Sequence, residues 1–191
     1  MKYKLTSNTK IHNGITLYQI QAVKTFSNVK EGDLGGWIEK VSNLSQENNC
    51  WIYDDALVYG DARVYDNAQV YGNAQVYDYA QVYDNTRVYD NAQVDGIAWV
   101  YGDARVYGNA RVCDKARVFG NARVSNFKHC ITISNLKYDL TIVPEYVFGG
   151  CRIFTHKEFE NLSLDKCEDI TWTQKQLDGY KLALTIWESN Q

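Results

Sequence analysis

The sequence predicts a mainly β protein whose centre is a parallel β-helix with six-residue rungs. Three observations carry this. Every sixth residue from Val58 to Val124 is valine, and Ile52 extends the series one step back. Alanine stands two places before each valine, from Ala56 to Ala122, with Thr86 the one exception. Between valine and the next alanine recur an aromatic residue, then Gly or Asp, then Asn or Asp. So short a period fits neither helix pairs nor propeller blades.

Three segments follow in order. Residues 1–37 read as a small β cap, because Asn13-Gly14 sits between β-prone residues and marks a hairpin. Gly32-Asp33-Leu34-Gly35-Gly36 reads as a tight turn into the solenoid. Residues 38–126 form the β-helix. Its first part, 38–51, is a degenerate coil in which Ile38, Leu44 and Cys50 fall in phase with the later alanines. Residues 127–191 lose the period and read as an α+β module. Ile131–Ile133, Leu140–Val143 and Tyr146–Phe154 look like strands. Thr155 with Glu158 matches a capping box that opens a short helix. The tail carries Leu177, Tyr180, Leu184 and Trp187 at helical spacing, and its expected role is to cover the open end of the solenoid.

Composition narrows the function. Net charge is −3, which gives no general drive toward nucleic acid or anionic membrane. No apolar run approaches the roughly 18 residues needed to span a bilayer. The first residues lack the apolar core of a signal peptide, so a cytoplasmic location is expected. The five cysteines, odd in number and without a CxxC pair, read as reduced thiols.

Valine and alanine point into the solenoid, and the Gly/Asp and Asn/Asp pair makes each turn. This pattern resembles the hexapeptide-repeat, left-handed β-helix family over residues 52–126, without an insertion. The resemblance implies three rungs per triangular coil, so that residues 18 apart stack. Tyr53, Tyr71, Tyr89 and Tyr107 then form one outward-facing ladder, and Tyr65, Tyr83, Tyr101 and Phe119 a second. Asp95 and Cys113 interrupt a third, begun by Tyr59 and Tyr77. The position before valine stacks Gln69, Arg87, Arg105 and Arg123 on one face. Charge is lopsided: eight aspartates stand against Arg63 and Arg87 from Ile52 to Asp95, while five basic residues stand against Asp103 and Asp114 from Gly96 to Asn126.

Many members of that family are acyl-CoA-dependent transferases with a general-base histidine in a rung or a looped-out segment. Residues 52–126 hold no histidine and no excursion. His12, His129 and His156 match no such position, and His129 is the weak catalytic candidate. Cys151 and His156 are weak metal candidates, their spacing matching no zinc motif. No cofactor is expected. Nearly the whole chain also resembles phage and prophage hexapeptide-repeat proteins, through Gly32-Asp33-Leu34-Gly35-Gly36-Trp37, Asn43-Leu44-Ser45, Asn49 to Ala56, the repeats, and Ile133 to Ile142 with Gly150-Cys151 and His156. That resemblance implies a phage origin and the cytosol of a bacterial host.

The expected function is a non-enzymatic binding protein, an inhibitor of a host defence protein or a sequesterer of an anionic signal. The alternatives are a hexapeptide acyltransferase and a structural rod. The binding residues expected are Arg87, Arg105 and Arg123 with Tyr89 and Tyr107, since stacked guanidinium groups bind phosphate or carboxylate in bidentate fashion. Flat faces and an aromatic stripe also predict a homo-oligomer, trimer or dimer.

Overall fold

The computed structural model describes residues 1–126, 131–133, 140–143, 146–149, 152–164 and 173–189. The chain opens with β1 (Tyr3–His12), β2 (Ile15–Ala22) and β3 (Leu34–Ile38). Asn13 and Gly14 turn the first hairpin with φ of 51° and 80°, the left-handed geometry that Asn-Gly supplies. β3 is antiparallel to β2 on one edge and parallel to the rung Leu57–Val58 on the other. Cap and solenoid therefore share one seven-stranded sheet. Of the glycine run only Gly32 is a positive-φ residue, at 91°. Gly35 and Gly36 lie inside β3, where a Cβ would come within 2.6 Å of the Ile52 carbonyl and 2.5 Å of its Cγ2. The motif serves close packing of strand on coil as well as the turn.

The solenoid has three parallel sheets. The first continues from β3 through Leu57–Val58, Gln75–Val76, Gln93–Val94 and Arg111–Val112. The second stacks Trp51–Ile52, Gln69–Val70, Arg87–Val88, Arg105–Val106 and the strand from Arg123. The third stacks Arg63–Val64, Gln81–Val82, Trp99–Val100 and Arg117–Val118, with Leu44 bridging to Val64 ahead of it. This makes about five coils, the degenerate entry coil followed by about four regular ones. Valines from Val58 to Val124 are 0–1% exposed, and the alanines between them are equally buried. Thr86 fits the alanine series because its hydroxyl donates to the Tyr83 carbonyl at 2.7 Å.

The first coil departs from the expected phase. Ile38 pairs with Val58 and Leu44 with Val64, so both occupy valine places, whereas Ile52 pairs with Val70. Two extra residues between Leu44 and Ile52 shift the register, which is why Ile38 and Leu44 mimic the alanine series in sequence. Cys50 does hold an alanine place, buried beside Trp51.

The C-terminal sheet runs antiparallel through Ile131–Ile133, Leu140–Ile142, Val147–Gly149 and Arg152–Phe154. Val143, Phe148, Tyr146 and Ile153 join the solenoid core, with Phe148 5.0 Å from Phe119. Helices α1 (His156–Glu160) and α2 (Gln174–Ser189) bury Phe159, Leu177, Tyr180 and Leu184 against Leu140, Ile142, Val147 and Phe154. This corrects the expected role of the tail: the sheet closes the solenoid, and α2 backs the sheet. The capping box is present, since Thr155 Oγ1 accepts from the Glu158 amide at 3.2 Å. Among the described residues, no helix is long and apolar enough to cross a membrane.

Val88→Asp should prevent folding or lower the melting temperature steeply, because it places an unpaired charge in a dry core. A melt like that of the wild type would contradict the packing described. Lys2 is 1% exposed and donates to the carbonyls of Glu47, Asn48 and Cys50 at 3.1, 3.4 and 2.8 Å. Lys2→Met keeps the apolar stem and leaves these acceptors without their donor. A loss of about 1–3 kcal/mol is expected in chemical denaturation.

Candidate anion-binding face

The second sheet brings the expected residues together. Arg87, Arg105 and Arg123 pair in register on successive coils, preceded by Gln69. Their side chains project outward because the adjoining valines point inward. Arg87 and Arg123 are exposed, and Arg105 is half-buried. Among the described residues, none of the three has a carboxylate within salt-bridge distance. Coil spacing of about 4.8 Å keeps the like charges close, and like charges directly opposite are unfavourable.

The tyrosines occupy the same face differently from the expectation. Tyr89 stacks on Tyr71 at 4.8 Å and on Tyr107 at 5.1 Å, with ring planes within 8°. Both faces of Tyr89 are covered, so no base or second ring can slide between. These tyrosines are half-buried, and what they offer a ligand is edges and hydroxyls. Tyr59 and Phe119, at 7% and 8% exposure, are buried beneath the two caps. Burial pushes the Tyr71 phenol up, its neighbour Tyr89 adds to the rise, and the charges of Arg87 and Arg105 pull it back. Tyr71 thus belongs to this face, although the expected set omitted it. In the second ladder the Tyr65 hydroxyl donates to Gln81 Oε1 at 3.0 Å, so ladder and glutamine column are tied together there.

Arg111 and Arg117 are engaged. Arg111 Nε donates at 2.7 Å to Asp95 Oδ2, which also accepts the Tyr77 hydroxyl at 2.9 Å. Asp95 therefore breaks the third tyrosine ladder to make a polar clamp, which the sequence signalled only as an interruption. Arg117 lies over the Trp99 ring at 4.9 Å. The acidity of the first coils has a local cause. Asp54, Asp66, Asp78, Asp84 and Asp90 occupy turn positions with φ of 52–59°.

Of the weak candidates, only His156 lies among the described residues. His156 bonds the Val143 carbonyl through Nε2 at 2.8 Å and Glu188 through Nδ1 at 3.2 Å, so it clips α1 to the sheet and to α2. The described residues contain no group of three or more metal-ligating side chains. His129 and Cys151 lie outside the described residues. His12 packs its ring edge-on to Tyr59 at 5.4 Å.

Fold and repeat define a hexapeptide-repeat β-solenoid protein. Residues 52–66, 80–96 and 98–114 match the family described as YdcK Beta solenoid repeat. A stretch of 44 residues is 46% identical to the uncharacterized acetyltransferase YdcK of Escherichia coli (strain K12). That stretch covers 23% of this chain and 14% of the relative's length. Neither similarity bears on a phage origin.

Stacking and burial also tune the tyrosines. Burial, followed by the neighbouring Tyr65 and Tyr101, pushes the Tyr83 phenol up to about 12, and Tyr53, Tyr59, Tyr65, Tyr71 and Tyr77 are raised too. A raised folded-state value means stability is complete below the ordinary tyrosine range near 10 and falls as pH climbs toward 12. Absorbance at 295 nm should therefore rise together with loss of the β signal in circular dichroism above pH ~10. Ionisation of all tyrosines near pH ~10 with the fold intact would contradict the stacked, half-buried ladders.

Proposed function

We propose that the chain is a non-enzymatic binding protein that docks an acidic protein surface on its arginine face. The observation that carries this reading is the in-register column of Arg87, Arg105 and Arg123, with no carboxylate partner among the described residues. Three guanidinium groups held about 4.8 Å apart match carboxylates stacked on neighbouring strands of a sheet, which repeat at the same interval. A rigid solenoid supplies the pre-organisation that such recognition needs. The closed tyrosine stacks speak against a nucleobase as ligand. The finer expectation, a phage-derived inhibitor of host defence, draws no support from the similarities found, and the reading stops at an acidic partner.

The test uses a poly-glutamate peptide as probe, with calorimetry at low and moderate salt. Wild type should bind, more weakly as salt rises. Arg105→Glu with Arg123→Glu should cut affinity at least about tenfold, or about 1.4 kcal/mol, while the melting temperature stays close to that of wild type, since neither side chain is in the core. Equal binding by the double reversal would sink the reading.

A second reading, an acyl-CoA-dependent acetyltransferase, is favoured by the description of the Escherichia coli relative. The two ring nitrogens of His156 are engaged, which leaves His129 and His12 as the bases to test. Turnover of acetyl-CoA that is lost on His129→Ala or His12→Ala would establish that reading in place of the first.

A further inference from the structure

Departures from the repeat gather at one corner of the solenoid. Each coil has three corners, and the residue three places after valine sits at the apex. At the corner after the third sheet these residues form an amide ladder, Asn67 to Asn85 to Asp103, at 3.2 Å per step. At the corner after the second sheet, Asn73, Asn91 and Asn109 do the same at 3.3 and 3.4 Å. The corner after the first sheet has no such ladder. Its apex reads Asp61, Tyr79, Ile97 and Lys115 on successive coils. Tyr79 is 62% exposed and Ile97 47% exposed, two large apolar side chains where the repeat elsewhere places amides. Beside this ridge Gln81, Trp99 and Arg117 form a parallel row, and the two rows enclose an open groove of about 400 Å³.

The order along the ridge is acidic, apolar, apolar, basic. Such a column is self-complementary under a two-fold axis perpendicular to the solenoid and midway between Tyr79 and Ile97. The axis sets Asp61 against a second Lys115, and Tyr79 against a second Ile97. We propose that this ridge is the interface with a second, antiparallel copy of the chain. The proposal is independent of the arginine face. An isologous contact needs one patch that matches itself, and this ridge does so in both charge and apolarity. Lys115 has no carboxylate partner among the described residues, while Asp61 meets Lys40 at 2.7 Å and keeps a second oxygen for a partner. The ridge of one copy enters the groove of the other, which covers Trp99. Arg63 and the second Arg117 fall at the outer margins, where salt screens them. A corner contact is narrow, so the dimer should dissociate on the order of micromolar concentration.

Sedimentation velocity across a concentration series tests this on the full chain. Wild type should pass from monomer to dimer. Tyr79→Asn with Ile97→Asn restores the amide of the other corners, so the melting temperature should hold while the dissociation constant rises at least tenfold. Asp61→Lys and Lys115→Asp should each weaken the dimer severalfold, and the double swap should recover most of the loss. Recovery is specific to the antiparallel pairing and does not depend on the asparagine variants folding. A wild-type monomer at high concentration, a trimer, or a dimer indifferent to the asparagine pair would overturn the proposal. So would an asparagine pair that loses capture of a different protein while its self-association is unchanged.

Discussion

Outside the strand ladders, the main-chain bonds that join one coil to the next all run the same way: an N–H donates to a carbonyl of the following coil. Trp51 donates to the Ala68 carbonyl, Leu57 to Ala74 and Arg63 to Ala80, and the same step repeats to the last coil. A parallel helix therefore ends in two chemically different surfaces. Its start is richer in carbonyls without donors, and its end is richer in N–H groups without acceptors. Buried, each such orphan costs a large part of a hydrogen bond. The caps answer with groups of the right kind. At the start these are donors: the Lys2 ammonium, the Asn43 amide on the carbonyls of Gly60 and Ala62, and the Tyr3 hydroxyl near those of Val41 and Leu44. At the end, where Arg117 has no further coil, the Thr141 hydroxyl accepts its N–H at 3.3 Å. A lysine buried so completely makes sense only in this setting, and its burial lowers the affinity of its amine for a proton.

At the turns the glycine N–H points back along the axis instead, to the preceding coil. The position two after valine needs a left-handed backbone, which glycine adopts freely and aspartate tolerates. Where aspartate precedes glycine in a column, the carboxylate accepts the glycine N–H of the next coil. Asp54 bonds Gly72 at 3.0 Å, Asp84 bonds Gly102 at 2.9 Å and Asp90 bonds Gly108 at 3.1 Å. Glycine on the receiving coil keeps the approach open. Aspartate before glycine thus supplies an acceptor for the glycine N–H, and the turn aspartates account for part of the uneven charge of the two halves.

The sequence made the solenoid legible because its information is local and repeated twelve times from Val58 to Val124. One periodicity specifies which side chains enter the core, and parallel register then specifies which outward side chains stack. Arg87, Arg105 and Arg123 could be placed on one face for that reason. What failed was non-repeating. A two-residue shift after Leu44 disguised Ile38 and Leu44, since a period alone cannot register an insertion in a degenerate coil. The tail was assigned to the open end although a sheet lies between, because amphipathic spacing states that a helix buries a face and not against what. Half-burial of the tyrosines also escaped, as alternation between inward and outward leaves no term for rings lying flat along a corner. The Asp95 clamp was visible only as a broken ladder, its partner Arg111 lying sixteen positions away on the next coil.

Function in such a chain separates from fold in a particular way. The core positions carry almost no choice, since valine and alanine recur with one exception. Corners need Gly, Asp or Asn. Choice is left to the residues before and after valine and to the apex of each corner. A departure there that lowers the quality of the repeat needs a compensating interaction. Asp95 has one within the chain, in Tyr77 and Arg111. Arg117 has one in Trp99. Arg87, Arg105 and Arg123 have no acid partner among the described residues, and Tyr79 and Ile97 stand exposed where amides would have bonded one another. The two surfaces proposed for binding are therefore places where the chain itself supplies these residues with no such partner among the described residues.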